Sequence, residues 1–361
     1  MDTKLVDLKM LSASEMTIVY EEAGKIIREG GMVAFPTETV YGLGANALDG
    51  DAAARIYAAK GRPSDNPLIA HIADEEALYE IAAEVSDTAR ILMKAFWPGP
   101  MTLVFKKKDI VPDGTTGGLK TVAVRMPDHM VARNLIRAAG VPIAAPSANI
   151  SGRPSPTSAK RTMEDMKGRI EMILDGGDCR IGIESTIIDV TEEIPMILRP
   201  GFITLEMLQD LVGEVLVDPV LLKGASEDFR PKAPGMKYRH YAPKASMTLV
   251  EGEDSEKVVC EIKRLAALAI KSGKKVGIIC TKESEIAYDQ GVIKCIGSRK
   301  MLESVAHNLY EILREFDECD VDYIYSEAFP EDAFGNAVMN RMVKAAGHSR
   351  LWVAGKGVSE S

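Results

Sequence analysis

The sequence predicts an α/β protein of two domains, and three observations carry the prediction. After Ser246, apolar runs of strand length alternate with amphipathic stretches of helix length, the pattern of a parallel sheet. Before about residue 212, short apolar runs repeatedly end in proline, glycine and hydroxyl residues, the strand-to-loop boundaries at which open sheets place ligands. Between Pro219 and Ala245 periodicity is lost, and prolines 231, 234 and 243 stand among Arg230, Lys232, Lys237, Arg239, His240 and Lys244. The expected organisation is a first domain over 1–215, a linker over 216–245 whose cations and tyrosines suggest that it packs on something anionic, and a smaller α/β domain over 246–361.

The elements follow from local signals. Ser12 and Glu15 have capping-box spacing, and apolar residues then recur at helical intervals until Gly30-Gly31. Residues 32–35 form a strand, Asp51 caps a helix ending at Lys60-Gly61, and Pro63 forbids its continuation. Strands are expected at 68–72, 101–105, 121–126 and 141–145, with helices opened by Ser86 and Asp128. From Asn149 to Ser158 the chain reads as a loop, followed by a polar helix to about Lys167. Strands at 170–174, 181–183, 186–190 and 196–198 lead to a helix at 204–212. The last domain reads as strand 247–250, helix 254–272, strands 275–280 and 292–296, helix 299–316, strand 322–326 and helix 336–346.

Composition excludes several classes of function. Of 361 residues, 46% are hydrophobic and 27% charged, a globular balance, and the formal net charge of −9 argues against a protein that coats nucleic acid. Any RNA role is therefore local. Five widely spaced cysteines without C-x-x-C pairs suggest reduced thiols and neither a disulfide framework nor a zinc knuckle. No apolar run approaches the ~20 residues of a membrane helix, and the N-terminus has no signal-peptide pattern, so a cytoplasmic protein is expected. No protein metal cage is expected either, since the five histidines show no ligand spacing.

The stretch from 35 to 72 concentrates the chemistry. It opens with Phe-Pro-Thr-Glu-Thr-Val-Tyr-Gly-Leu-Gly and ends by crowding Lys60, Arg62, Asn66 and His71 around Pro63 and Pro67, cations and amide donors suited to an anionic substrate. Gly42-Leu-Gly44-Ala-Asn-Ala47 formally matches a dinucleotide fingerprint. The match fails because turn chemistry at 48–51 stands where the helix should begin and no acidic residue follows at the ribose distance. The Gly-x-Gly reads instead as a turn. P-loop, zincin and serine-hydrolase motifs are absent.

Two cations at a helix exit commonly answer the helix dipole alone, so Lys60-x-Arg62 is weak by itself. In order along the chain, however, stand Pro-Thr-Glu-Thr-Val-Tyr, Lys-Gly-Arg-Pro-x-x-x-Pro-Leu, Pro146-Ser-Ala-Asn149 and Glu184-Ser-Thr, with Trp97-Pro-Gly-Pro100 and Arg199-Pro-Gly201. Together they closely resemble the threonylcarbamoyl-AMP synthase family with its YrdC-like domain, over residues 12–212. Residues 233–243 and 340–346 resemble the long form, which adds a linker and a second α/β domain.

That resemblance implies a YrdC-like twisted mixed sheet with flanking helices plus a Rossmann-like parallel domain. It implies a nucleotidyltransferase that joins L-threonine, bicarbonate or CO2 and ATP into threonylcarbamoyl-adenylate, for tRNA modification. By motif, Thr39, His71, Arg125, Ala145 and Ser185 would hold threonine, with Thr37 adjacent and Arg125 on the carboxylate. Lys60, Arg62, Asn66, Thr121, Ser147, Asn149, Ser155, Arg199 and Tyr241 would hold ATP, with Lys60 and Arg62 as the catalytic cations and Mg2+ accompanying the triphosphate. Tyr41 would line the pocket and the linker around Tyr238 to Tyr241 would fold over it. Implied partners are the tRNA threonylcarbamoyl-transfer machinery and, by contact, tRNA itself, with no membrane. Two rivals remain: an RNA-binding module without catalysis, and a carbamoyl transferase of hydrogenase maturation, whose longer chain and cysteine pairs are missing here.

Overall fold

A computed structural model describes residues 2–223, 231–234 and 241–354. The chain divides into two compact units, residues 1–151 with 155–238, and residues 152–154 with 239–361.

The first unit is built on an eleven-stranded mixed sheet. From edge to edge its strands are Lys4–Asp7, Met172–Asp175, Val33–Phe35, Gly42–Asn46, Ile143–Ala144, Ile69–His71, Thr121–Arg125, Met101–Lys106, Thr186–Asp189, Met196–Arg199 and Leu216–Val217. Local chemistry explains the helices around it. Ser12 caps the helix Ala13–Arg28 in a reciprocal capping box with Glu15, and Gly61 closes Gly50–Lys60 in the left-handed conformation at φ 61°. Asp49, not the expected Asp51, caps that second helix, because its carboxylate reaches the amides of Asp51 and Ala52. Ser86 caps Asp87–Phe96, and Ser158 caps Ala159–Met166.

Side chains alternate between the faces of a strand, and in the centre of this sheet the alternation separates core from site. Ala70, Val122, Val124, Met101, Leu103 and Ile188 point into the main apolar core. The other face carries His71, Arg125 and Thr102 beside a small apolar cluster of Ile69, Ala123, Val104, Ile187 and Leu198, over which Ala233 is fully buried.

Four further expectations are corrected. Gly42–Asn46 is a strand, antiparallel to Val33–Phe35 and to Ile143–Ala144. Its Gly44 is needed for close approach, since a Cβ there would stand 2.7 Å from both Phe35 and Ile143. The expected strand 181–183 does not form; Gly182 has φ 90°, and the amides of Ile181 and Gly182 donate to the carbonyls of Glu38 and Thr39. Part of the expected linker is ordered as the strand Leu216–Val217, parallel to Met196–Arg199, and the helix Pro219–Lys223. His129, not Asp128, caps Met130–Ala139.

The second unit carries a five-stranded, wholly parallel sheet in the order Val292–Gly297, Val276–Thr281, Tyr323–Glu327, Ser246–Glu251, Arg350–Trp352. Its helices are Ser255–Lys271, Leu302–Cys319 and Gly335–Ala345. The edge strand Arg350–Trp352 was not expected from the sequence. Residues 152–154 belong to this unit: Gly152 O accepts from Ala242 N at 2.9 Å, and Pro154 O from Arg314 at 2.6 Å. Among the described residues no helix is long and apolar enough to cross a membrane.

Candidate active site

The register of two parallel strands sets out the site. Ile69 pairs with Ala123 and His71 with Arg125, so His71 and Arg125 share a row at the carboxyl ends. Asn66 precedes the first strand and Thr121 begins the second, placing both at the amino ends, about 13 Å away along the strand at a rise of ~3.3 Å per residue. Two of the residues that the resemblance assigns to threonine, His71 and Arg125, and two that it assigns to ATP, Asn66 and Thr121, thus fall at opposite ends of the same two strands.

At the carboxyl end, Arg125 is 4% exposed and held on three sides. Its Nε donates to Gly99 O at 3.3 Å, its Nη1 to Thr39 Oγ1 at 2.9 Å, and its Nη2 lies 2.7 Å from Glu38 Oε1. Thr39 shares a 2.8 Å hydrogen bond with Thr37. Ser185 is linked to Thr102 at 2.7 Å and accepts from Arg199 Nη2 at 3.1 Å. Arg199 also donates to Ser185 O and to Pro234 O. Arg199 and Ser185, expected in different subsites, therefore touch. His71 is buried, its Nδ1 3.1 Å from Ile69 O, and desolvation together with the Arg125 charge pushes its pKa down to about 3. Its imidazole is neutral at ordinary pH. Burial likewise pushes up the Tyr41 phenol, which donates to Gly177 O at 2.7 Å, and the neighbouring Cys179 thiol. Ala145, whose amide donates to Ile69 O, is buried in the apolar cluster that holds Phe35 and Ile143 and has only backbone groups to offer.

At the other end Lys60 is buried and donates to the carbonyls of Ser147 and, at 2.6 Å, Asn149, holding the Pro146–Asn149 turn. The Ser147 hydroxyl donates to the Asn149 amide oxygen. Arg62 Nη2 donates to Asn66 O and Pro67 O, both at 3.1 Å. Asn66 is fully buried, yet neither atom of its side-chain amide has a hydrogen bond among the described residues. Burying a polar group without a partner costs about 1–3 kcal/mol, so a site that a ligand completes explains it best. Ser155 is buried and donates to Glu184 at 2.6 Å. Thr121 is half-buried on the same sheet face. Tyr241 belongs to the second unit, at φ 65° and stacked on Tyr310 with 5.0 Å between ring centroids. Lys237, Tyr238, Arg239 and His240 lie outside the described residues.

Sequence reasoning passed over Glu38, Thr102 and Glu184, all buried at the site. A carboxylate inside the hydroxyl-rich motif was the available signal for Glu38.

The first 201 residues contain a match, over 25–201, to a family described as telomere recombination, and residues 203–347 match the threonylcarbamoyl-AMP synthase C-terminal domain. A threonylcarbamoyl-AMP synthase of Pyrococcus abyssi is 52% identical, over 90% of this chain and 93% of its own length. The chain belongs to the threonylcarbamoyl-AMP synthase family. A second member, from Bacillus subtilis, is 48% identical over 90% of this chain and 92% of its own. The solved P. abyssi Sua5 structure, complexed with L-threonine, superposes with a TM-score of 0.90 at 48% identity, covering 98% of this chain and 100% of that one. The synthase family's fold is therefore the one seen here, mixed sheet first and parallel α/β unit second, and the rival reading of an RNA-binding module without catalysis is set aside.

Proposed function

We infer that this chain is an L-threonylcarbamoyladenylate synthase, joining L-threonine, bicarbonate or CO2 and ATP with release of pyrophosphate. The observation that carries the reading is near-full-length similarity to threonylcarbamoyl-AMP synthases on both sides. Buried, unfilled donors and acceptors at Asn66, Glu38 and Arg125 support the placement of its substrates.

Threonine takes the carboxyl-end subsite, its carboxylate on Arg125, with Thr39, Ser185 and neutral His71 around it and the Ala145 backbone behind. ATP runs from the other end, its triphosphate against Arg62 and Lys60 with Asn66, Thr121, Ser147, Asn149 and Ser155 as further contacts, to Arg199, which stands beside Ser185 of the threonine subsite. The carbamate oxygen formed on threonine attacks the α-phosphorus in line with departing pyrophosphate, so positioning and charge neutralisation by preorganised cations supply the catalysis. Lys60 contributes twice, because the turn it holds is the one that presents Ser147 and Asn149. Mg2+, when bound with ATP, would neutralise phosphate charge. The amide oxygen of Asn66 and the hydroxyls of Ser147 and Ser155 are oxygen donors of the kind it accepts alongside phosphates.

A carbamoyl adenylate is labile in water, and the linker excludes it. Two contacts support that role: Ala233 is fully buried on the site's sheet face, and Pro234 O accepts from Arg199. Deleting 230–244 then lowers product yield more than ATP affinity. The five free cysteines fit a reducing, cytoplasmic setting. The product is consumed by tRNA threonylcarbamoyl-transfer machinery. The deciding assay supplies ATP, labelled bicarbonate and each amino acid in turn and detects the adenylate. Threonine-dependent product is expected; salt-dependent tRNA binding without turnover would reject synthase activity.

A further inference from the structure

The carboxyl-end subsite contains a buried acid to which neither motif nor resemblance gives a role. Glu38 is 2% exposed, and its backbone is fixed where its carbonyl accepts from Ile181 N at 2.8 Å. Its Oε1 stands 2.7 Å from Arg125 Nη2, but the N–H bonds of Nη2 are not aimed at it, so the contact is coulombic. Among the described residues, neither Glu38 oxygen nor Arg125 Nη2 makes a hydrogen bond. The other two guanidinium nitrogens are already engaged, by Gly99 and Thr39.

Buried ions are tolerable only when their hydrogen-bonding capacity is filled. An ion pair that served structure alone would be expected to close on itself. Here the donors of a cation and the acceptors of an anion stand unfilled side by side. The small group that fills both carries a carboxylate and an ammonium on neighbouring atoms, which is an α-amino acid zwitterion. The neighbouring His71 and Cys179 are held neutral by burial, so neither competes for the ammonium charge.

We propose that the Glu38 carboxylate binds the α-ammonium of the amino acid substrate while Arg125 Nη2 takes its carboxylate. The proposal rests on the reading that threonine occupies this end of the site. It makes Glu38 a specificity-determining residue: a carboxylate ligand without the amine meets an uncompensated negative charge, and a site built around a charged partner rejects analogues that lack it.

The test is calorimetric titration of the full-length protein with L-threonine and with 3-hydroxybutyrate, the same molecule with hydrogen in place of the amine. Wild type, Glu38→Gln and Glu38→Asp are compared, with ATP affinity as the control for folding. Wild type is expected to prefer threonine by about 100-fold, the scale of a charged hydrogen bond. Glu38→Gln should remove most of that preference by weakening threonine, leaving 3-hydroxybutyrate unchanged or tighter, and Glu38→Asp should keep part of it. Equal weakening of both ligands in Glu38→Gln would mean that Glu38 only positions Arg125, and would overturn the proposal alone. Absence of threonine binding in wild type would overturn the underlying reading as well. If Glu38→Gln loses ATP binding through misfolding, the wild-type pair still decides, because equal affinities for the two ligands are incompatible with an ammonium subsite.

Discussion

Each unit of this molecule buries a glutamate against an arginine at the carboxyl end of a sheet strand, and the two pairs are finished differently. In the second unit, Glu327 accepts from Ser284 and, at 3.0 Å, Tyr288 on one oxygen, and from Arg299 at 2.7 Å on the other, while Arg299 also donates to Ala328 O. Its capacity is filled from within. In the first unit, Glu38 and Arg125 touch without closing, and Asn66 at the opposite end of the strands is equally unfilled. Burial of charge is common to both; only the first leaves something for a ligand to do. This locates substrate binding more sharply than burial or charge does, and mutation can probe it from either side.

The largest effect is expected where a cation faces the triphosphate. Arg62→Ala should lower threonine- and bicarbonate-dependent pyrophosphate release by about 100-fold or more, the loss typical of a charge-stabilising group. Near wild-type turnover would show the triphosphate to be bound elsewhere. In the self-contained pair the cost should fall on stability instead. Glu327→Gln should destabilise the protein by about 2 kcal/mol in denaturant titration, the scale of lost charged hydrogen bonds, with unchanged kcat/KM for threonine and ATP. A selective loss of kcat/KM at unchanged stability would erase the contrast between the pairs. Asn66→Ala sits between them: the KM for ATP should rise about tenfold while stability holds or improves, because an unpartnered buried amide is removed. Lost stability with unchanged KM would make Asn66 structural.

Much of this architecture was legible before the structure, and the failures have physical causes. Helix limits came from local chemistry that a sequence displays, as in the Ser12–Glu15 box and the Gly61 cap. The alternation in the second half was enough to give its parallel sheet. Gly42–Asn46 was misread as a turn because its glycines answer to tertiary crowding: Gly44 lies against Phe35 and Ile143, which no local pattern records. Residues 181–183 were misread as a strand because their amides pair with the loop at 38–39 instead of a sheet. The residue types of the site were visible, but not their grouping. Arg199 reaches Ser185, and Glu38 meets Arg125, only through sheet order.

His71 offers the smallest expected effect per pH unit and a test of how dry the subsite is. Its folded pKa lies at about 3, below the ordinary value near 6.5, so only the unfolded chain takes up this proton between those limits. Stability is highest above pH 6.5 on this account and falls as the pH drops toward 3, by at most about 1.4 kcal/mol per pH unit for one proton. Burial also lowers the pKa of His129, so the wild-type slope is not due to His71 alone. The informative quantity is the difference between wild type and His71→Asn in urea midpoints measured from pH 7 to pH 5. The variant should lose about one proton's worth of slope. Threonine affinity in wild type should stay flat over the same range, since the imidazole carries no charge to lose or gain. An unchanged slope in the variant would mean that water reaches His71 in the folded protein, and the carboxyl-end subsite would then be open where the geometry has it sealed.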